Sequence, residues 1–353
     1  MNLVRPIHAR SGEDYLVDSA DILDSGGDFF FRTNRDCKLP LVLRQIDQVA
    51  DYVHPFRRNS AVLATTRHSQ LTPGMTISGR MQASVIHAFW SLVTRIGTRR
   101  MGNVLKAWYP SAYGDSIFYF EYDKGAADDQ CIALTIDDGL VRGKNANDGP
   151  QSSSASMVHA VCELLRTHQA RATFFVCTDY TTDKEQAKLI LDEGHELGNH
   201  LKEDKSGYYC NLSEDDFRTE LDESNKLLWK VVSRGDDDDD NVPRIAWFRA
   251  PQGIMSQAMC RVLREQTMKN IMGDCYCDDW AFAEKVGSTS QVVAPLMLKQ
   301  VQAGSIAIFH MPQRGFRETT LDAMREFLEG IQQRKLKCVT VSEMMNQQVG
   351  KQR

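Results

Sequence analysis

The chain has 353 residues, of which 42% are hydrophobic and 25% charged, and its formal net charge is -5. This composition is that of an ordinary globular protein, and the length allows one large domain or one domain with a smaller companion. The acidic balance gives no basic surface, so neither nucleic acid nor an anionic membrane is favoured as a partner. No stretch reaches about 20 uninterrupted apolar residues, so no membrane span is expected. Nothing in the sequence defines an oligomeric state.

The N-terminus and the cysteines bear on the cellular compartment. The opening sequence MNLVRPIHARSGEDYLV lacks the apolar core of a signal peptide. The nine cysteines are odd in number and include no Cys-x-x-Cys pair, which favours free thiols over a disulfide framework. We therefore expect a cytoplasmic protein.

In chain order, residues 1–125 show no clear period apart from one predicted helix within Ala83–Gly97. Seven short apolar runs follow, and helical patterns separate most of them. The predicted strands are 131–136, 172–177, 195–200, 244–249, 269–274, 305–310 and 337–342, and the predicted helices are 154–169, 183–194, 213–232, 290–304 and 318–335. This alternation indicates parallel β-α-β units, so we predict an α/β fold: a distorted (β/α) barrel of about seven parallel strands at 126–353, preceded by an N-terminal extension at 1–125.

Ionisable residues follow the ends of five predicted strands. In a parallel barrel these ends share one rim, where catalytic groups gather. A simple turn at the Asp-Gly pair is the alternative for the first of them. The residues are Asp137 and Asp138 after the first strand, His200 with Asp204 after the third, Arg249, Asp279 and His310.

Five motifs occur along the chain in the order T-I-D-D-G, G-H-E-L-G-N-H-x-x-x-D, F-R-A-P-x-G, D-D-W and I-F-H. In this order they resemble the polysaccharide deacetylases, metal-dependent carbohydrate esterases related to the nodulation chitooligosaccharide deacetylases. The resemblance covers roughly residues 126–345. It implies an N-acetylated carbohydrate as substrate and one divalent metal ion as cofactor.

The resemblance also implies catalytic roles for four residues. Asp137 corresponds to the general base, and Arg249 to the arginine that pairs with it and orients it. His310 corresponds to the general acid, and Asp279 to the carboxylate that holds it. These roles suit amide hydrolysis, which needs an activated water and an acid to protonate the departing amine.

The same comparison implies the metal ligands Asp138, His200 and Asp204. The family has a second histidine where this chain has Asp204. An aspartate four residues after His200 can still share a face with it on a helical turn, and a second carboxylate shifts the expected metal from zinc toward manganese or cobalt.

Four further residues are implied to bind substrate. Pro251 and Gln252 would contact the substrate, with the backbone N–H of Gln252 helping to hold the oxyanion, and Trp280 and Ile308 would line a pocket for the acetyl methyl group. The favoured function is a metal-dependent hydrolase that removes N-acetyl groups from an amino-sugar polymer or oligosaccharide. The alternatives are a catalytically weak carbohydrate-binding relative and a hydrolase of a small non-sugar amide.

Overall fold

The computed structural model describes residues 77–121, 130–138, 140, 156–181, 184–205, 207–232, 245–282, 290–315 and 317–351. Seven strands form one sheet in this part of the chain, and every pairing between them is parallel. They are β1 Cys131–Asp138, β2 Thr173–Val176, β3 Glu196–Asn199, β4 Trp247–Phe248, β5 Lys269–Asn270, β6 Ile306–His310 and β7 Lys337–Val339. Each lies within a predicted run or extends it by two residues, which confirms the predicted α/β class.

The strands form a curled half-barrel in the order β5-β4-β3-β2-β1-β6, and β7 also pairs with the first part of β1. Helices pack around this sheet. They are α1 Ile77–Ile96, α2 Thr98–Trp108, α3 Pro110–Tyr113, α4 Val158–Thr167, α5 Lys184–Asp192, α6 Glu214–Val232, α7 Gln257–Glu265, α8 Asp279–Ala281, α9 Ser290–Gln300, α10 Thr320–Gln333 and α11 Val341–Lys351. Short 3₁₀ turns lie at Thr178–Tyr180, Tyr209–Asn211 and Pro251–Gly253.

All five helical patterns predicted between the strands correspond to helices, namely α4, α5, α6, α9 and α10. The helix predicted within Ala83–Gly97 is part of α1. The start of α6 is capped by Ser213, whose hydroxyl accepts a hydrogen bond from the backbone N–H of Asp216 at 3.1 Å. The prediction omitted α7, although Ser256 caps it in the same way through the N–H of Met259.

Strand β1 lies at the centre of the sheet and is buried along its whole length. Side chains alternate between its two faces. Ile132 and Ile136 belong to the large core cluster, whereas Ala133 belongs to a smaller, separate cluster. Because residues two apart share a face, the strand carries Thr135 and Asp137 along the same face as Ala133 toward the rim.

The part of the N-terminal region that the structure describes packs on the half-barrel. Trp90 of α1 is 6% exposed and belongs to the main core cluster. Arg99 of α2 pairs with the buried Asp274 at 2.6 Å. Farther along, Ile117 and Tyr119 form bridges with Ile271 and Ser305, on segments that follow β5 and precede β6. This region therefore contributes core packing and covers the open side of the sheet. The remainder of the predicted extension, residues 1–76 and 122–125, lies outside the described residues.

No helix in the described part of the chain is both long and apolar enough to cross a membrane. The eight cysteines described there are free and buried, as expected from their spacing.

Candidate active site

The register of the central strands brings the predicted rim residues together. Asp137 lies beside His310 of β6 on one side and beside Phe175 of β2 on the other. The next row joins Asp138 to Val176 and Val176 to Asn199 of β3. Because neighbouring strands lie about 4.8 Å apart, the residues that directly follow β2 and β3 meet the end of β1 at the rim.

Asp137 and Arg249 form a buried ion pair. The Oδ1 atom of Asp137 accepts a hydrogen bond from Nη1 of Arg249 at 2.6 Å, and the two side chains are 7% and 3% exposed. The same nitrogen donates to the hydroxyl of Thr135 at 2.8 Å. Nε and Nη2 donate to the carbonyls of Ile271 and Met272, so the guanidinium is held from several directions. Such an arrangement fixes the orientation of the Asp137 carboxylate.

The aromatic ring of Phe175 packs against this guanidinium. The Cζ atom of Arg249 lies 4.2 Å from the ring centroid of Phe175, which is a cation–π contact. The ring lies against Gly198 of β3, where a Cβ atom would be only 2.6 Å from two ring carbons. Glycine at this position therefore makes room for the ring on which Arg249 rests.

His310 and Asp279 form the second pair. Nδ1 of His310 lies 2.6 Å from Oδ1 of Asp279, which is fully buried, and the backbone N–H of His310 donates to Oδ2 at 2.9 Å. Burial lowers the pKa of His310, but the carboxylate of Asp279 outweighs this effect and raises the pKa to about 9. The imidazole therefore carries a proton at neutral pH, as a general acid must.

Behind this pair lies a second buried carboxyl group, that of Asp278. It accepts hydrogen bonds from the indole N–H of Trp90 at 3.0 Å and from the hydroxyl of Tyr276 at 2.8 Å. Burial raises the pKa of Asp278. Helix α1 thus contacts the segment that carries Asp279, one residue further along the chain.

Asp138 is held by an arginine that the sequence analysis did not identify. Its Oδ2 atom accepts a hydrogen bond from Nη1 of Arg317, and the side chains are 3% and 5% exposed. Arg317 lies in the loop between β6 and α10 and has a left-handed backbone conformation, with φ 59°. Nothing in the sequence pattern singles it out, because its approach to Asp138 depends on the path of that loop.

Three buried side chains near the end of β1 form a group that could hold a metal ion. They are Asp138, Cys177 and His200, whose potential ligand atoms lie within 4.8 Å of one another. Nδ1 of His200 lies 2.8 Å from the carbonyl oxygen of Arg249. Because a carbonyl only accepts, Nδ1 carries the proton and Nε2 keeps its lone pair for a metal.

Asp204 is not a member of this group. The prediction placed it beside His200 on a helical turn, but residues 201–205 contain no helical turn. Leu201 has φ 62°, and the carbonyls of Leu201 and Lys202 accept hydrogen bonds from the N–H groups of Thr178 and Asp179 at 2.9 and 3.1 Å. A role for Asp204 as a ligand stays a prediction.

The predicted substrate-binding residues lie around the same rim. Pro251 is buried and Gln252 is exposed, in the 3₁₀ turn that directly follows Arg249 and Ala250. Trp280 in α8 and Ile308 in β6 are partly exposed, as residues that line a pocket must be. Their contacts with substrate stay predictions.

The fold and the rim have the features predicted for a polysaccharide deacetylase, and the comparison with known families agrees. Residues 124–271 match the family described as polysaccharide deacetylase, so this part of the chain is similar to that family.

Several named relatives resemble the chain over more than half of its length. A peptidoglycan-N-acetylmuramic acid deacetylase of Bacillus subtilis is 24% identical over 59% of this chain and 70% of its own. A peptidoglycan-N-acetylglucosamine deacetylase of Bacillus cereus is 26% identical over 62% and 89%. A chitooligosaccharide deacetylase of Azorhizobium caulinodans is 26% identical over 53% and 86%.

Solved structures support the fold. A family 4 carbohydrate esterase of Bacillus subtilis, PdaA, superposes with a TM-score of 0.50 at 20% identity and covers 70% of this chain and 89% of its own. The mutant of a CE4 family pseudoenzyme with restored enzymatic activity also gives a TM-score of 0.50, at 19% identity, over 65% and 70%. At this level of identity the likeness concerns the fold alone.

Cys177 and Arg317 are the site residues that the sequence analysis missed. For Cys177 a signal was present, because it ends the predicted strand 172–177 and the rule that strand ends meet at one rim applies to it as well.

Proposed function

We propose that the chain is a metal-dependent hydrolase that removes N-acetyl groups from an amino-sugar polymer or oligosaccharide. One observation carries the proposal: Asp137 and His310 lie side by side on adjacent strands. Arg249 holds the carboxylate of Asp137, and Asp279 holds the imidazole of His310. A group that accepts a proton and a group that donates one are what amide hydrolysis requires.

The donor set at the end of β1 fits a divalent ion. Asp138 and His200 are buried side chains with ligand atoms close together, and the tautomer of His200 leaves Nε2 available. Asp204 stays the third ligand predicted from the sequence, and Cys177 is the alternative that the structure offers. When bound, a divalent ion polarises the acetyl carbonyl and lowers the pKa of water, as in other hydrolytic metal sites.

The side chains of this chain would then divide the proton transfers. Asp137, oriented by Arg249, accepts a proton from the attacking water. His310, kept protonated by Asp279, donates its proton to the amine as the C–N bond breaks. The products are acetate and a free amino sugar.

The substrate class is supported by the named relatives, which act on peptidoglycan and on chitooligosaccharides. The chain has the same family motifs, so an N-acetylated glycan is the substrate we propose. A small non-sugar amide is the competing substrate. An assay for acetate released from N-acetylated chitooligosaccharides and peptidoglycan fragments, with a panel of small N-acetylated amines beside them, distinguishes the two.

A specific observation favours the second candidate, a catalytically weak carbohydrate-binding relative. Arg317 pairs with Asp138, and a guanidinium at a ligand carboxylate competes with a metal ion for the same negative charge. Acetate release together with metal content decides between the candidates. Glycan binding without divalent metal or acetate would favour the binding protein, whereas acetate release that stops on chelation and returns with metal would favour the hydrolase.

A further inference from the structure

We propose that Cys177 is a ligand of the divalent ion, so that the site binds zinc in preference to manganese. This inference rests on the proposed function, because it assigns a ligand to the same metal site. A thiolate is a soft ligand, and a soft ligand selects zinc over the harder manganese ion. The expected preference is therefore the opposite of the one that two carboxylates would give.

The position of Cys177 follows from the sheet. It is the first residue after β2, as His200 is the first residue after β3, and these strands are neighbours in register. The backbone N–H of Cys177 donates to the carbonyl of Asp138 at 2.7 Å. The thiol lies 3.6 Å from the carbonyl of His200, so both neighbours fix its place.

The size of the group suits a single ion. The potential ligand atoms of Asp138, Cys177 and His200 lie within 4.8 Å of one another. Two atoms that share one tetrahedral zinc ion at about 2.0–2.3 Å from it lie roughly 3.3–3.6 Å apart. Side-chain movements on the order of 1 Å therefore suffice to bring all three atoms onto one ion.

The charge of this set also matches a divalent ion. One carboxylate, one thiolate and one neutral imidazole carry two negative charges, which offset the charge of a 2+ ion beside the guanidinium of Arg317. The set of Asp138, His200 and Asp204 has the same net charge, so charge does not distinguish the two alternatives, whereas ligand softness does. On binding, the S–H bond of Cys177 is exchanged for a sulfur–metal bond, and the proton goes to solvent.

The other candidate ligand is less well placed. Residues 201–205 contain no helical turn, so the spacing that favoured Asp204 does not bring it into the group. Among the described cysteines, Cys177 is the one that belongs to a group of potential metal ligands. Cys131 lies at the end of β1 opposite to Asp138.

The test measures metal binding rather than turnover. The purified full-length protein is stripped with a chelator and loaded with Co²⁺, and its near-ultraviolet absorption is recorded, since a thiolate bound to cobalt gives an intense charge-transfer band. Zinc affinity is measured in parallel by competition with a chromophoric chelator. The variants are Cys177→Ser and Asp204→Asn, with Cys131→Ser as a matched control because it removes another buried thiol from the same sheet.

We expect the charge-transfer band in the wild type and in Cys131→Ser and its loss in Cys177→Ser. Zinc affinity should fall in Cys177→Ser by at least about 10–100-fold, because removing a residue that only hydrogen-bonds a metal ligand already lowers metal affinity by that factor. Asp204→Asn should change it far less.

Cobalt bound without the thiolate band would overturn the assignment of Cys177 and leave the metal-dependent hydrolase intact. The same conclusion follows if Asp204→Asn loses zinc while Cys177→Ser keeps it. A wild-type protein that binds no divalent ion would overturn the proposed function as well. The band is a property of the wild type, so the test holds even if Cys177→Ser fails to fold.

Discussion

Arg249 and Asp137 meet at 2.6 Å although 112 residues separate them in the chain. Strand β4, which carries Arg249 at its end, is separated from β1 in the sheet by β3 and β2. The long side chain of Arg249 reaches across both strands, over the ring of Phe175, to the carboxylate. The predicted base is thus held by a residue three strands away.

If Asp137 is the general base, Asp137→Asn should reduce turnover by about 10²–10⁴-fold, the usual contribution of a positioned base. Metal binding should persist, because the change leaves Asp138 and His200 in place. Turnover and metal stoichiometry are measured together. Asp115→Asn is the control, since it alters a carboxylate whose ion pair with Arg264 is exposed. Near-normal turnover with metal bound would remove Asp137 from the mechanism.

The His310–Asp279 pair predicts an alkaline limit to activity. The pKa of His310 is raised from its ordinary value of 6.5 to about 9, so the protonated acid is lost as the pH rises through about 9. In Asp279→Asn the limb of kcat/KM should move to lower pH, because burial then lowers the pKa of His310 against the weaker effect of Asp138. His159→Gln, on an exposed position of α4, should leave the profile unchanged. A limb that stays in place in Asp279→Asn would contradict the assignment.

The same pair affects stability. A raised pKa in the folded state means that the charged pair stabilises the fold fully below about pH 6.5 and loses its contribution as the pH rises toward about 9. The free energy of unfolding of His310→Gln should therefore differ from that of the wild type at pH 6 and approach it at pH 9.5. Urea unfolding at the two pH values measures this, and an equal difference at both would argue against a charged pair.

Gly198→Ala should impair the site through Phe175. The added methyl group would lie 2.6 Å from two ring carbons, so the ring must move away from Arg249. Overpacking of this kind costs about 1–3 kcal/mol of unfolding free energy, and turnover of the folded variant should fall as well. Gly330→Ala is the matched control, because its methyl group would meet Leu298 at 2.5 Å, between α10 and α9. That variant should lose stability and keep its turnover.

Arg317→Gln should bind a divalent ion more tightly than the wild type. The substitution removes a positive charge that contacts the ligand carboxylate Asp138 and keeps a hydrogen-bond donor there. We expect a gain of about tenfold, which corresponds to roughly 1.4 kcal/mol, a modest share of the interaction between charges at contact. Chelator competition measures it, with Arg325→Gln at the exposed pair on α10 as control. Weaker binding would mean that Arg317 chiefly orients Asp138.

Arg99→Ala tests the packing of the N-terminal helices. It would leave the carboxyl group of Asp274, whose side chain is 1% exposed, without its guanidinium partner. Removing one partner of a buried ion pair lowers the free energy of unfolding by about 3–5 kcal/mol. Because Asp274 keeps its hydrogen bonds from Ser305 and from the backbone N–H of Ile306, we expect a loss of about 3 kcal/mol. Arg100→Ala, at the exposed neighbouring position, should cost little in a urea unfolding experiment.

The strands could be predicted from the sequence because they fall within short runs, most of them rich in apolar residues, that alternate with helical patterns. The positions of Asp137, Arg249, Asp279 and His310 then followed from one rule, that parallel strands place their ends on one rim. The pairs Arg249–Asp137 and His310–Asp279 have the contacts that the family resemblance implied.

Contacts that depend on loops could not be predicted in this way. Arg317 reaches Asp138 from the loop after β6, where its backbone is left-handed, and the left-handed Leu201 is followed by a segment without a helical turn. Trp90 reaches Asp278 from a helix outside the motifs. Each contact joins residues far apart in the chain, and no periodicity encodes it.

The backbone conformation at Asp138 restricts which residue types this position can accept without strain. Its φ of 82° lies in the left-handed region, which aspartate, asparagine and glycine enter more readily than other residues. An alanine at this position would lose the carboxylate and also strain the backbone by about 1–2 kcal/mol. Alanine scanning would therefore overstate the importance of the carboxylate. In a related protein that no longer binds a metal, asparagine or glycine is the least strained replacement for this aspartate. Either residue at this position would therefore indicate a protein that keeps the fold and has lost the ligand carboxylate.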